Sequence, residues 1–162
     1  MIGEVYNLLK SDTAEKTVTL HGVTFEHEIE GWVHVHGTAD AVTGCNIVPR
    51  WAKIQLEHGS TYTLSVQLDG DGGNGMFALY TTDGKNIGSA IGYLLYGQNS
   101  SLTFTFPDDE SMPYLHVWGP RLVEGATVDF RVRLMLVEGA TPAAWAPAEG
   151  EEIAGGGGVH ER

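Results

Sequence analysis

His34 and His36 sit two residues apart in Trp32–Val33–His34–Val35–His36. On an extended strand that spacing sends both imidazoles to one side, and His116 could join from another strand. Two or three histidines on one face are the donor type for Zn²⁺ or Ni²⁺. No Cys, Asp or Glu at ligand spacing completes the set, so a solvated strand face accounts for these histidines better than a metal centre. DGDGGNG, with Asp69, Asp71 and Asn74, invites a calcium reading. It fails the EF-hand pattern, because Gly73 falls where an oxygen donor is needed and Tyr80 where the bidentate Glu belongs. A hairpin turn explains it without an ion.

Flat rings are the second chemistry. Sugar recognition on a β-sheet needs aromatic stacking surfaces beside polar groups, and Trp32, Trp51, Tyr93, Tyr96 and Trp118 are the candidates. Each tryptophan is equally the residue of a core or a subunit contact, and that is the stronger expectation. Catalysis has less support. There is no G-x-S-x-G elbow. Asp108–Asp109 and Glu151–Glu152 fall in turn or tail segments rather than facing each other across a cleft as a glycosidase pair must. Cys45, the one cysteine, lies between Gly44 and Asn46 with no base beside it. No catalytic residue is assigned, and the expected protein is not an enzyme.

The elements that must position these groups are strands. Gly22 to Gly37 alternates twice across Gly31, which predicts a hairpin turning at Ile29–Glu30–Gly31 or Glu30–Gly31–Trp32. Thr61–Leu68 reads as a strand, with Met76–Thr81 its expected hairpin partner through the glycine-rich loop. Leu102–Phe106 and Tyr114–Trp118 are strands ended by Pro107 and by Gly119–Pro120. The longest alternation puts Val128, Phe130, Val132, Leu134 and Leu136 on one face and Asp129, Arg131, Arg133 and Met135 on the other. A strand apolar on one side and charged on the other belongs to an antiparallel sheet with one wet face. LVEGAT occurs at 122–127 and again at 136–141. The copies read as similar turns entering and leaving this strand, not as a repeat unit. No amphipathic helix of useful length is present, so the fold class is all-β, an antiparallel β-sandwich or barrel.

The bulk composition agrees. At 162 residues, 42% apolar and 19% charged, the chain suits one folded domain. Nine Lys+Arg against 21 Asp+Glu leave a net charge of −12, without the basic face that nucleic acid or anionic lipid requires. MIGEVYNLLK is not a signal peptide, and no stretch has the length of a membrane span. The expected organisation is a sandwich over residues 1–147 followed by a flexible glycine-rich tail, 148–162, because glycines in series cost too much backbone entropy to order alone.

LMLVEGATPAAWAP (134–147) resembles the closing strand and turn of carbohydrate-binding-module-like jelly-roll domains in bacteriophage tail, fibre and decoration proteins. Asn7–Leu8–Leu9, GVTFEHEIEGWVHVHGTA (22–39) and LEHGSTYTLSV (56–66) resemble further segments of such domains in matching order. The resemblance covers about Asn7 to Pro147 and rests on order and spacing. It implies a jelly-roll sandwich, a homo-oligomer with a trimer favoured, and a place in a virion assembled in the bacterial cytoplasm beside other capsid or tail proteins. A chain that is itself the module implies a head fibre, decoration or tail accessory protein. It also implies Trp145 packed on the sandwich and a structural Ca²⁺ held near Asn7 and Asp129. No other cofactor is expected. The alternative function is a carbohydrate-binding adhesion module for bacterial or mucosal glycans.

Overall fold

The structure is a computed structural model and describes residues 6–9, 17–44, 47, 54–71 and 75–148. Trp51, Cys45, Asn74, Glu151–Glu152 and the expected tail beyond Ala148 lie outside the described residues.

Eleven strands form among them, and every pairing is antiparallel. Strands β1 (Thr17–Leu20), β2 (Val23–His27), β3 (Val33–Thr38), β11 (Thr127–Glu138), β6 (Thr61–Asp71) and β9 (Ser101–Thr105) make a six-stranded sheet in that order. Strands β4 (Thr43–Gly44), β10 (Tyr114–Leu122), β7 (Met76–Thr82) and β8 (Ile87–Leu95) make the second sheet, with β5 (Ile54–Gln55) also paired to β10. The all-β antiparallel sandwich expected from the alternation is what forms. These strand orders establish the two-sheet sandwich, not the jelly-roll winding in particular.

The core lies between the sheets. Phe25, Val35, Leu64, Phe130, Val132 and Leu136 face Phe77, Leu79, Leu94, Leu115 and Val117, all buried. Phe130 on one sheet meets Tyr96 just past β8 at 6.1 Å between ring centroids, and Tyr96 meets Phe77 at 5.8 Å. Offset aromatic pairs of this kind add to the burial of apolar area, the main driving term.

β2 and β3 form the expected hairpin, with Val23 opposite Gly37 and Phe25 opposite Val35. Its turn is Ile29–Gly31, where Glu30 and Gly31 take φ of 57° and 76°. The expected pairing of Thr61–Leu68 with Met76–Thr81 does not form. β6 pairs with β11 and β9, whereas β7 belongs to the other sheet, between β10 and β8. The chain therefore leaves one sheet at Asp71 and enters the other at Met76. Both flanking strands have an apolar face, and in separate sheets each turns it to the same core.

β10 also runs past the expected stop at Gly119–Pro120 to Leu122, through a register shift between Trp118 and Arg121. Gly119 permits this, since a Cβ there would lie 2.7 Å from the Met76 carbonyl.

At the outer end of β11, β3 stops pairing at Val132–Val33. The vacant edge is taken by the chain start: Leu8 N–H donates to Leu136 O at 2.9 Å, and Asn7 N–H to Pro147 O at 3.1 Å. Residues 143–147 fold back across the outer face, where Ala146 N–H donates to Met135 Sδ at 3.3 Å. Met135, expected on a wet face, is buried for this reason.

Candidate functional site

Two outer faces carry the candidate side chains. On the six-stranded sheet, the register sets Glu26 opposite His34 on β2–β3, and Arg131 and Asp129 opposite His34 and His36 on β3–β11. The alternation that buries Val33 and Val35 thus places His34 and His36 outward in the middle of three strands. Glu26 Oε1 lies 3.6 Å from His34 Nδ1 and 3.1 Å from His36 Nε2. His34 Nε2 and Asp129 Oδ1 are 2.6 Å apart. A carboxylate only accepts, so this nitrogen carries a proton and donates to Asp129. The same bond holds the Asp129 carboxyl below the usual carboxylate range. Arg131 Nε donates to Glu28 Oε1 at 2.8 Å, and Glu28 Oε2 stands 3.8 Å from His34 Nδ1.

Next along the face, the Arg133 guanidinium carbon lies 4.2 Å from the Trp32 ring centroid and 4.3 Å from that of Trp145. Its Nε donates to Gln67 Oε1 at 2.8 Å and its Nη1 to Glu30 O at 3.0 Å. Partial burial pulls the Arg133 pKa down. Beyond it a hollow of about 300 Å³ is lined by Ser65, Gln67, Arg133, Met135, Ala144 and Trp145, among others.

The outer face of the five-stranded sheet is aromatic. Ala78 on β7 is opposite Tyr93 on β8 and Trp118 on β10, so the three share one row. Tyr93 is exposed and Trp118 half-buried, while Ala78 beneath them is fully covered. His116 and Tyr80 form the next rung, with ring centroids 6.1 Å apart.

The five glycan candidates are thus divided. Tyr93 and Trp118 share one cross-strand row, on either side of Ala78. Trp32 lies on the opposite sheet against Arg133, and Tyr96 is in the core, 7% exposed. Trp51 lies outside the described residues. The histidine trio is divided too: His34 and His36 are neighbours at 4.5 Å between rings, but His116 belongs to the other sheet. Glu26, supplied by the paired strand and invisible to linear spacing, brings a carboxylate beside His34 and His36 where none was expected. The hairpin register could have found it. Asp69, from the calcium reading of the loop, is instead opposite Arg131.

The Asn7–Asp129 pair for Ca²⁺ does not form. Asn7 Nδ2 donates to Leu134 O at 2.8 Å, and its Oδ1 accepts from Leu136 N–H at 2.9 Å and Leu9 N–H at 3.1 Å. Its side chain is spent on backbone some five residues, roughly 17 Å, from Asp129. Trp145 packs on the sandwich as the resemblance implied.

Fold and faces define an all-β sandwich with one polar, histidine-bearing outer face and one aromatic outer face. No protein-family model matches this chain, and no curated protein does. Among solved structures, one chain of the Glycosylation Associate Protein (Gap123) complex from Streptococcus agalactiae is similar, with TM-score 0.53 and 16% identity over 84% of this chain. This chain spans 45% of that one. A chain from the crystal structure of accessory secretory protein 1,2 and 3 in Streptococcus pneumoniae is similar with TM-score 0.53 and 15% identity, over 86% of this chain and 100% of that chain. At such identities the likeness is one of fold. It nonetheless corrects the expected function. These neighbours are streptococcal glycosylation-associated and accessory secretory proteins, so the phage virion role, the decoration, fibre or adhesion assignment and the virion location are withdrawn.

Proposed function

We propose that this chain is a non-enzymatic β-sandwich subunit of a multi-protein assembly of the glycosylation or secretion kind, acting by holding partner proteins. One observation carries the reading: the fold likeness extends over 100% of a chain from a structure named for three accessory secretory proteins. A sandwich similar to such a chain over its whole length is read most simply as a subunit. The row Tyr93–Ala78–Trp118 supports this, because amphipathic aromatic rings on an open sheet are the residues that dominate protein contacts. A net charge of −12 favours partners with basic or neutral contact surfaces. The partners proposed are other proteins of the assembly rather than copies forming a trimer.

The test is isolation of the chain at native abundance from the cells that encode it, with cross-linking mass spectrometry and native sizing. The expected result is a stoichiometric complex with at least one other protein. Tyr93→Ala with Trp118→Ala should weaken it about tenfold or more, the usual loss on truncating aromatic contact residues. Migration of the native protein as a monomer without a partner would overturn the reading.

A further inference from the structure

We propose that Glu26, His34 and His36 form a binding site for a divalent transition metal, with Zn²⁺ the ion their chemistry fits best. One carboxylate oxygen and one nitrogen from each histidine all lie within 4.8 Å of one another. Tetrahedral zinc with bonds near 2.0–2.1 Å sets its donor atoms about 3.3 Å apart. The Glu26–His36 and Glu26–His34 separations, 3.1 and 3.6 Å, already bracket that value. The imidazoles are partly exposed and can close the remaining gap by rotation.

The surroundings are those of a metal-binding histidine. Asp129 accepts from His34 Nε2 at 2.6 Å, so Nδ1, 3.6 Å from Glu26 Oε1, is the nitrogen that faces the proposed ion. A carboxylate behind a histidine ligand fixes its tautomer and raises its basicity. Glu28 adds negative charge 3.8 Å from His34 Nδ1 while Arg131 holds it in place. Asp69, opposite Arg131, adds a further acid to the same face. Three acids, Glu26, Glu28 and Asp129, stand within 4 Å of the histidines, a local field that attracts cations. β3 is paired on both sides, by β2 and by β11, so the donors stand on a rigid backbone.

Two imidazoles with one carboxylate select Zn²⁺, Co²⁺ or Ni²⁺ over Ca²⁺ and Mg²⁺, which need more oxygens. Three protein donors leave a position for water or for a group from outside, the arrangement of an open rather than a closed zinc site. This inference is independent of the assembly reading.

The test is calorimetric titration of the untagged, chelator-stripped full chain with Zn²⁺, and with Co²⁺ followed by visible absorption. The expected result is one tight site per chain and Co²⁺ bands of four- or five-coordinate intensity. His36→Ala and Glu26→Gln should each weaken Zn²⁺ at least tenfold. Asp129→Asn, which removes only the positioning carboxylate, should weaken it about tenfold, the usual effect of an outer-shell partner. A His21→Ala/His58→Ala protein should bind like the parent. Circular dichroism and unfolding midpoints taken without metal establish that each variant is folded, and His36→Asn serves should His36→Ala fail. Zn²⁺ affinity unchanged in a folded His34→Ala/His36→Ala protein would overturn the site, as would a Co²⁺ spectrum no different from the aqua ion.

Discussion

Arg133 stacks on Trp145, its guanidinium carbon 4.3 Å from the indole centroid, and this contact fastens the segment 143–147 over the outer face of β11. Trp32 closes the other side of the same guanidinium at 4.2 Å. A partly desolvated cation between two indoles contributes about 1–2 kcal/mol. Trp145→Ala should cost more, because it also unroofs Met135. An overall loss of about 2–4 kcal/mol in urea unfolding is expected for Trp145→Ala, and about 1–2 for Arg133→Met, which keeps the aliphatic stem. A Trp145→Ala protein as stable as the parent would show that the segment is not held this way.

Asn7→Ala should destabilise the sandwich by about 2–3 kcal/mol, since it strands the buried Leu134 carbonyl and Leu136 N–H that its side chain satisfies. Amide exchange at Leu136 should accelerate with it. An Asn7→Ala effect under half a kilocalorie would refute the edge-filling role.

Gly31 and Gly125 separate strain from collision. Both have positive φ, 76° and 90°, but a Cβ at Gly31 would lie 2.7 Å from Trp145 Cζ2 whereas at Gly125 it meets open space. Gly125→Ala should cost about 1 kcal/mol for its backbone alone. Gly31→Ala should cost visibly more and perturb tryptophan fluorescence. In a Trp145→Ala background the two penalties should converge, a double-mutant cycle that measures the collision directly.

Alkaline pH should unfold the protein through Tyr96. Burial raises its phenol above the ordinary value of 10.0. The unfolded chain therefore loses this proton first, so the contribution of the neutral ring is complete below pH 10 and lost as pH rises further. Unfolding free energy should decline above pH 10 by up to about 1.4 kcal/mol per pH unit. Tyr96→Phe should flatten that decline, and a slope identical to the parent's would count against it.

Much of the fold is legible in the chain itself. Alternation from Val128 to Leu136 and around Gly31 predicts the strands, their buried faces and the hairpin turn. β8 escapes the pattern because its exposed stretch Gly88–Ser89–Ala90 lacks apolar alternation and its register shifts twice against β7. Alternation predicts a β6–β7 hairpin that does not form, because strand chemistry says which face is apolar, not which sheet a strand will join. Met135 illustrates the same limit: period two sets its strand face, but its burial depends on a segment arriving from 143–147.

The site divides along that line. Side-chain direction within one strand, such as His34 and His36 to one side, is a property of the period-two backbone and was determined by the sequence alone. The resemblance to phage modules rested on similar local letters, and local letters encode turns and strands shared by unrelated sandwiches. Only the tertiary structure decided that Asp129 hydrogen-bonds His34, that Tyr93 and Trp118 share one row with Ala78, and that Asn7 serves backbone rather than an ion. Those relationships depend on cross-strand register over separations of up to 129 residues, as between Asn7 and Leu136. Register is set by how all the apolar faces close on one core, a condition that no single segment contains.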